Sequence, residues 1–191
     1  MLKEAKVGRV KTRLGKEMGV LDATWWYRHQ TKRICRRLKS KRWQLHLAVS
    51  PDFPIFSGPS LPPNVNVLRQ GRGDLGEKMR RLLLTFPKGR VCLVGSDIPE
   101  VSEFHIKRAF KILGAHPWVF GPTRDGGFWL VGIRNTTVVP HSVFGCVRWS
   151  TNSTLADTLA TFKVCEQVGF ADLLKDVDYY CDLTEMLEDR L

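Results

Sequence analysis

The amino-acid sequence predicts an α/β fold: a three-layer α/β/α sandwich around a mostly parallel sheet. Stretches of strand periodicity alternate with stretches of helical periodicity along the chain. The continuous run RVCLVG (90–95) has the character of a parallel strand buried on both faces. At 191 residues, 43% hydrophobic and 26% charged, the chain suits a single domain, 1–191, with one core.

The elements follow in order. GRVKTRLG (8–15) is a basic loop leading into a helix near residue 14. A basic helix over 22–42 carries an apolar face of Ala23, Tyr27, Ile34 and Leu38, with Arg28, Lys32, Arg33, Arg36 and Arg37 mostly elsewhere around it. In 43–49, Trp43, Leu45, Leu47 and Val49 alternate onto one face, a strand pattern. Five prolines and a glycine make 50–64 a loop. A second strand spans 65–69. Leu75, Met79, Leu82, Leu83 and Phe86 fall on one helical face, and Asp74 with Glu77 resembles a capping box at its start. After the buried strand, a helix begins at Ser102 and uses Phe104, Ile106, Ala109, Phe110 and Leu113. Strands near 117–121 and 127–133, a helix with Leu155, Leu159 and Phe162, and a last helix at about 182–190 complete the chain.

A net charge of +11 asks for a polyanionic partner: a phosphorylated small molecule, nucleic acid or an anionic membrane. No apolar run is long enough to span a bilayer or to act as a signal peptide, so the expected address is cytoplasmic. Cys35, Cys92, Cys146, Cys165 and Cys181 show no CxxC spacing, and reduced, structural thiols are expected. The histidines are scattered and form no nucleophilic constellation. The basic helix reads as a solvated face, and without a nucleic-acid-binding motif the chain is not expected to bind DNA or RNA.

In open parallel sheets ligands bind beyond the carboxyl ends of the strands. That rule selects four segments. In 8–15, Gly8, Arg9, Lys11, Thr12 and Arg13 can cradle phosphate at a helix start, although GxxxxGK[ST] is absent. In QGRGDLGEKM (70–79), Gly71, Gly73 and Gly76 allow close backbone approach, Gln70 offers an amide to a base edge, and Asp74 caps the helix. In VGSDIPEVS (94–102), Asp97 emerges at the end of a buried strand, where a carboxylate suits Mg²⁺; capping of the next helix is the alternative. In GPTRDGGFWLVG (121–132), Asp125 precedes Gly126, Gly127 and Phe128, either facing the crevice or making a hairpin turn. Two weaker segments remain. RWST (148–151) places Trp149 before a helix, and KDVDYYCDL (175–183) clusters Asp176, Asp178 and Asp182.

In order, GRVKTRLG, QGRGDLGEKM, GSDIP, GPTRDGGFWLVG, RWST and KDVD resemble the motifs of the DUF2064 proteins. These are glycosyltransferase-like members of the nucleotide-diphospho-sugar transferase (GT-A) superfamily. The resemblance covers nearly the whole chain. It implies a three-layer fold and a metal-dependent site, using Mg²⁺ or Mn²⁺, for a nucleoside diphosphate. By position it implies phosphate contacts from Lys11 and Arg13, base contacts near Gln70 and Gly73, and metal ligation by Asp97 and Asp178. Asp125, Gly126, Gly127, Phe128 and Trp149 would face the acceptor. Three departures stand out: Phe128 replaces the usual Tyr, Tyr179 the usual Thr, and only Met1 and Leu2 precede Lys3, which implies a clipped first strand.

The expected activity is sugar transfer from a nucleotide-sugar to a small-molecule acceptor, with Asp97 and Asp125 catalytic. The alternative is a nucleotidyltransferase joining an NTP to a phosphorylated acceptor.

Overall fold

The computed structural model describes residues 1–52, 65–135, 139–162 and 167–188. Most of the Pro-rich loop expected at 50–64, and the end of the last helix expected at 182–190, lie outside the described residues.

The first half comprises β1 (Leu2–Lys3), α1 (Thr12–Met18), α2 (Val20–Arg37), β2 (His46–Ser50), β3 (Asn66–Arg69) and α3 (Leu75–Leu83). The second comprises β4 (Arg90–Val94), α4 (Glu103–Ala115), β5 (Trp118–Pro122), β6 (Phe128–Arg134), α5 (Thr154–Ala160), β7 (Val168–Phe170) and α6 (Tyr180–Glu188). A parallel sheet has the order β1-β2-β3, and a mixed sheet the order β4-β6-β5-β7. The Met1 amine donates 2.5 Å to the Val94 carbonyl and so joins β1 to β4. Across the molecule the order is therefore β3-β2-β1-β4-β6-β5-β7.

Alternation along β5 builds the three layers. Val119 packs with α2 and α4 through Ile34, Leu38, Ile106, Ala109 and Leu113. Trp118 and Phe120 point the other way, against Met79 and Leu83 of α3 and Leu155 and Leu159 of α5. Successive strand side chains face opposite sides, so one central strand feeds two cores. Gly132 on β6 is required by this packing, because a Cβ there would meet Val119 at 2.8 Å and Cys92 at 2.9 Å.

Several expectations shift. β6 runs antiparallel to both β4 and β5, since only a tight turn at 123–127 separates β5 from β6 and leaves no room for a crossover. β7, not anticipated, is three residues long and pairs in parallel with β5, below the length at which periodicity shows. The strand expected at 43–49 starts at His46, because Trp43 turns aside to donate Nε1 to Leu38 O at 2.9 Å. On α4, Ile106, Ala109 and Leu113 are buried as expected, whereas Phe104 points to solvent, 63% exposed. The first strand is short, as the sequence implies.

Local signals set the helix starts. Asp74 Oδ1 accepts from Glu77 N (2.8 Å) and Glu77 Oε2 accepts from Asp74 N (2.9 Å), a complete capping box. Ser102 caps α4 with His105 as its partner. Asp182 lies inside the first turn of α6 and accepts from the backbone N–H of Asp178 and Tyr179. Cys35, Cys92, Cys146 and Cys181 are free thiols. Among the described residues no helix is long and apolar enough to cross a membrane.

Candidate functional site

The carboxyl ends of β1, β3, β4 and β5 open into one cleft of about 490 Å³. The parallel pairings place those ends together, so segments far apart in sequence share its wall. Arg9 and Lys11 enter from the loop after β1, Thr12 and Arg13 from the first turn of α1, Gln70 from the end of β3, and Asp97 from the end of β4. Asp125, Gly127 and Phe128 come from the β5–β6 turn, Trp149 from the turn before α5, and Asp176 and Asp178 from the chain after β7.

Lys11 is the hub. Its side chain is 5% exposed, and its Nζ lies 2.8 Å from Asp178 Oδ1, 3.1 Å from Asp97 Oδ1 and 2.7 Å from Val177 O. Burial alone would depress the ammonium's pKa, but Asp97 and Asp178 outweigh burial and hold it above its ordinary value. Arg13 donates 3.0 Å to the other oxygen of Asp178 and lies 5.6 Å from the Tyr179 ring centroid. The Lys11 contact to Asp97 is an ion pair that falls short of hydrogen-bond geometry, and among the described residues the buried Asp97 Oδ1 has no hydrogen-bond donor.

Asp125 Oδ1 accepts from Thr123 Oγ1 at 2.5 Å and Gly127 N at 3.0 Å, which makes the turn and fixes the carboxylate at once. Gly126 has φ 84°, and a Cβ there would strike Asn152 O at 2.0 Å, so this glycine packs the turn against the loop before α5 rather than facing a ligand. Among the described residues, the Trp149 indole N–H is buried without an acceptor.

Other expected residues have structural partners. Gln70 Nε2 donates to Leu2 O (2.9 Å) and Ala48 O (2.8 Å), tying β1 to β2 and leaving Oε1 as the atom it can offer a base. Asp74 spends its carboxylate on the capping box. Gly73, at φ 109°, is required because a Cβ would lie 2.1 Å from Glu77 Oε2. Gly8 is exposed, with nothing within 4 Å of a Cβ.

Asp176 joins the cleft although its sequence context singles out no role. Its pKa is pushed up to about 6, first by burial and then by the negative charges of Asp125 and Asp178. Tyr27 also reaches the cleft: its hydroxyl accepts from Lys3 N at 3.0 Å and lies 3.3 Å from Ser96 Oγ, bracing the strand ends beneath Asp97. In the sequence Tyr27 is simply one position of an apolar helix face.

Among the described residues, no group of three or more His, Cys, Asp or Glu side chains converges as a metal cage. Two carboxylates, Asp97 and Asp178, do converge on one point, which the Lys11 ammonium occupies. Mg²⁺ is commonly held by one or two carboxylates plus substrate phosphates and water, so the pair fits such an ion.

The chain is similar to the crystal structure of a "putative nucleotide-diphospho-sugar transferase" from Desulfovibrio desulfuricans G20. The TM-score is 0.87 at 27% identity, covering 99% of this chain and 86% of that one. It also shares its fold with Rv0371c from Mycobacterium tuberculosis H37Rv, with a TM-score of 0.50 at 19% identity over 98% of this chain and 96% of that one. No curated protein matches it. A family model described as "Uncharacterized protein conserved in bacteria (DUF2064)" matches residues 34–151, a range that holds Asp97, Asp125 and Trp149 but neither Lys11 nor Asp178. With well over half of its length in that match, the chain belongs to the DUF2064 family.

Proposed function

We propose that the cleft binds a nucleoside diphosphate sugar and transfers the sugar to an acceptor hydroxyl, with Mg²⁺ or Mn²⁺ held by Asp97 and Asp178. The observation that carries this reading is the convergence of Lys11, Arg13, Asp97, Asp125 and Asp178 in one cleft. The similarity over 99% of the chain to the Desulfovibrio structure supports it.

A bound cation would supply charge neutralisation at the departing diphosphate. Lys11 and Arg13, both drawn to Asp178 in this structure, turn to the diphosphate oxygens as charge-assisted donors. Asp125 has one oxygen fixed by Thr123 and Gly127, so Oδ2 remains to orient the acceptor hydroxyl and receive its proton as the new C–O bond forms. The Trp149 N–H, a buried donor without an acceptor among the described residues, gains one in a sugar hydroxyl or phosphate oxygen.

The test is a titration of the chain with UDP-, GDP- and ADP-sugars and with NTPs, with and without Mg²⁺ or Mn²⁺, followed by product analysis. At 100 times its dissociation constant, a bound nucleotide-sugar should add roughly 2.7 kcal/mol of stability. Asp97→Asn should weaken the metal-dependent part of that binding by about tenfold or more, roughly 1.4 kcal/mol. Preference for an NTP, with release of pyrophosphate, would assign nucleotidyl transfer instead. Unchanged metal dependence in Asp97→Asn would remove Asp97 as ligand.

A further inference from the structure

The outward side of α2 carries large apolar side chains where a solvated helix carries polar ones. Its inner face is buried against the molecule through Ala23, Tyr27, Gln30, Thr31, Ile34 and Cys35. At about 100° per residue, Leu21, Trp25, Arg28, Lys32 and Arg36 fall on the opposite side, within an arc of about 80°. Leu21 is 68% exposed and Trp25 63%, and Val20 beside them is half-exposed. Arg28 and Arg36 are exposed and Lys32 partly so. The one carboxylate of the helix, Asp22, sits in its first turn and outside that arc. Arg28 also donates 3.1 Å to Ala5 O, which brings the loop of half-exposed Val7 alongside the same side of the helix.

The face therefore divides along its length: aliphatic and indole surface at the start, cations from Arg28 onward. Exposed apolar surface beside a ring of charge marks a docking site, and the cations require an anionic partner. A nucleic-acid strand would satisfy the cations through its phosphates and could stack a base on Trp25. However, His29 already lies against the Trp25 ring at a centroid separation of 3.9 Å, and Val20 and Leu21 offer a base nothing. An anionic bilayer uses every part. Aliphatic side chains enter the boundary between headgroups and acyl chains, an indole sits at headgroup level, and Lys and Arg meet the lipid phosphates.

We propose that the outer face of α2 seats the chain on an anionic lipid bilayer. Val20, Leu21 and Trp25 enter the interface, and Arg28, Lys32 and Arg36 lie against the headgroups. Tyr27, on the opposite side of the same helix, lines the cleft, so the seated chain keeps its cleft uncovered. The docking is peripheral and reversible, since it uses one face of one helix whose other face stays in the core. It is independent of the transfer reading.

The test is co-sedimentation of the full chain with vesicles of equimolar phosphatidylcholine and phosphatidylglycerol, beside vesicles of phosphatidylcholine alone. We expect binding to the anionic vesicles that weakens as salt is added, and at least about tenfold weaker binding to the neutral ones. Leu21→Ser with Trp25→Ser should weaken binding by about tenfold or more, as should Lys32→Glu with Arg36→Glu. These side chains face outward, so the melting temperature should stay with that of the parent chain. In a second measurement, lipids brominated on their acyl chains should quench part of the tryptophan fluorescence, and the conservative Trp25→Phe should remove that quenching while the other five tryptophans still report a folded chain. Absence of binding to anionic vesicles, equal binding to neutral ones, binding untouched by either double variant, or quenching that survives Trp25→Phe would each overturn the proposal. So would tight binding of a single-stranded oligonucleotide that both double variants abolish, which would assign the face to nucleic acid.

Discussion

Lys11 stands at φ 48° and ψ 49°, a left-handed conformation uncommon for a residue with a Cβ, and from there its side chain runs inward to two carboxylates. Removing it leaves Asp97 and Asp178 facing each other without their shared cation. Those partners are 44% and 34% exposed, so the cost lies below that of a fully buried pair, at about 1–3 kcal/mol. We therefore expect Lys11→Ala to lower stability in urea melts and to weaken diphosphate binding together. Arg13 is half-exposed, and Arg13→Ala should leave stability within about 0.5 kcal/mol while weakening the diphosphate more than the bare nucleoside. If the two variants melt alike, Lys11 is not the hub that its contacts describe.

Among the elements, α3 owes its start to the Asp74–Glu77 box, and Asp74→Ala should cost about 1 kcal/mol. For a chain of this size that corresponds to a fall of roughly 2–4 °C in melting temperature, measurable by calorimetry. If capping is its only role, nucleotide binding should not change. α5 is tied to the preceding turn by Asp157, whose carboxylate accepts from Arg148 Nε at 2.8 Å and NH2 at 2.9 Å. Those Arg148 bonds, its backbone N–H included, hold the Asp157 pKa down to about 2. A depressed carboxylate contributes stability above its unfolded pKa, and loses it as pH falls through the folded one. The contribution should be present above about pH 4 and disappear between pH 4 and 2. In Asp157→Asn, unfolding curves across that window should show a shallower slope than in the parent chain.

For the whole molecule, the seam between the two sheets is the Met1 amine. Burial pushes its pKa down from 8.0 to about 6. The unfolded chain therefore binds more protons between those values, so stability rises with pH across the window and falls as pH drops from 8 to 6. The difference amounts to about 2–3 kcal/mol. Urea melts at pH 6, 7 and 8 should show it, and acetylation of the amine should flatten it. A flat profile in the unmodified chain would mean that the amine is solvated and the seam open.

How far the sequence reaches depends on the range of the interaction concerned. Capping boxes, helix faces such as Ala23–Tyr27–Ile34–Leu38 and the strand at 90–94 are set by neighbours within a few residues and are legible in the chain, although that strand is half-buried rather than buried on both faces. The cleft position of Asp97 also follows locally, because it comes just after the carboxyl end of an apolar strand. The partners of Lys11 do not: Asp178 is 167 residues away, and only the parallel alignment of strand ends brings the two together. The same holds for Asp176, raised by charges from two other segments, and for Gln70, whose amide is drawn to strands 68 and 22 residues away. The place of β7 beside β5 depends on which edge remains open once β6 has paired. Periodicity records which faces of an element are apolar. Only the folded chain decides which edge meets which and which charges come to share a cleft, because those contacts form between segments that carry no local mark of one another.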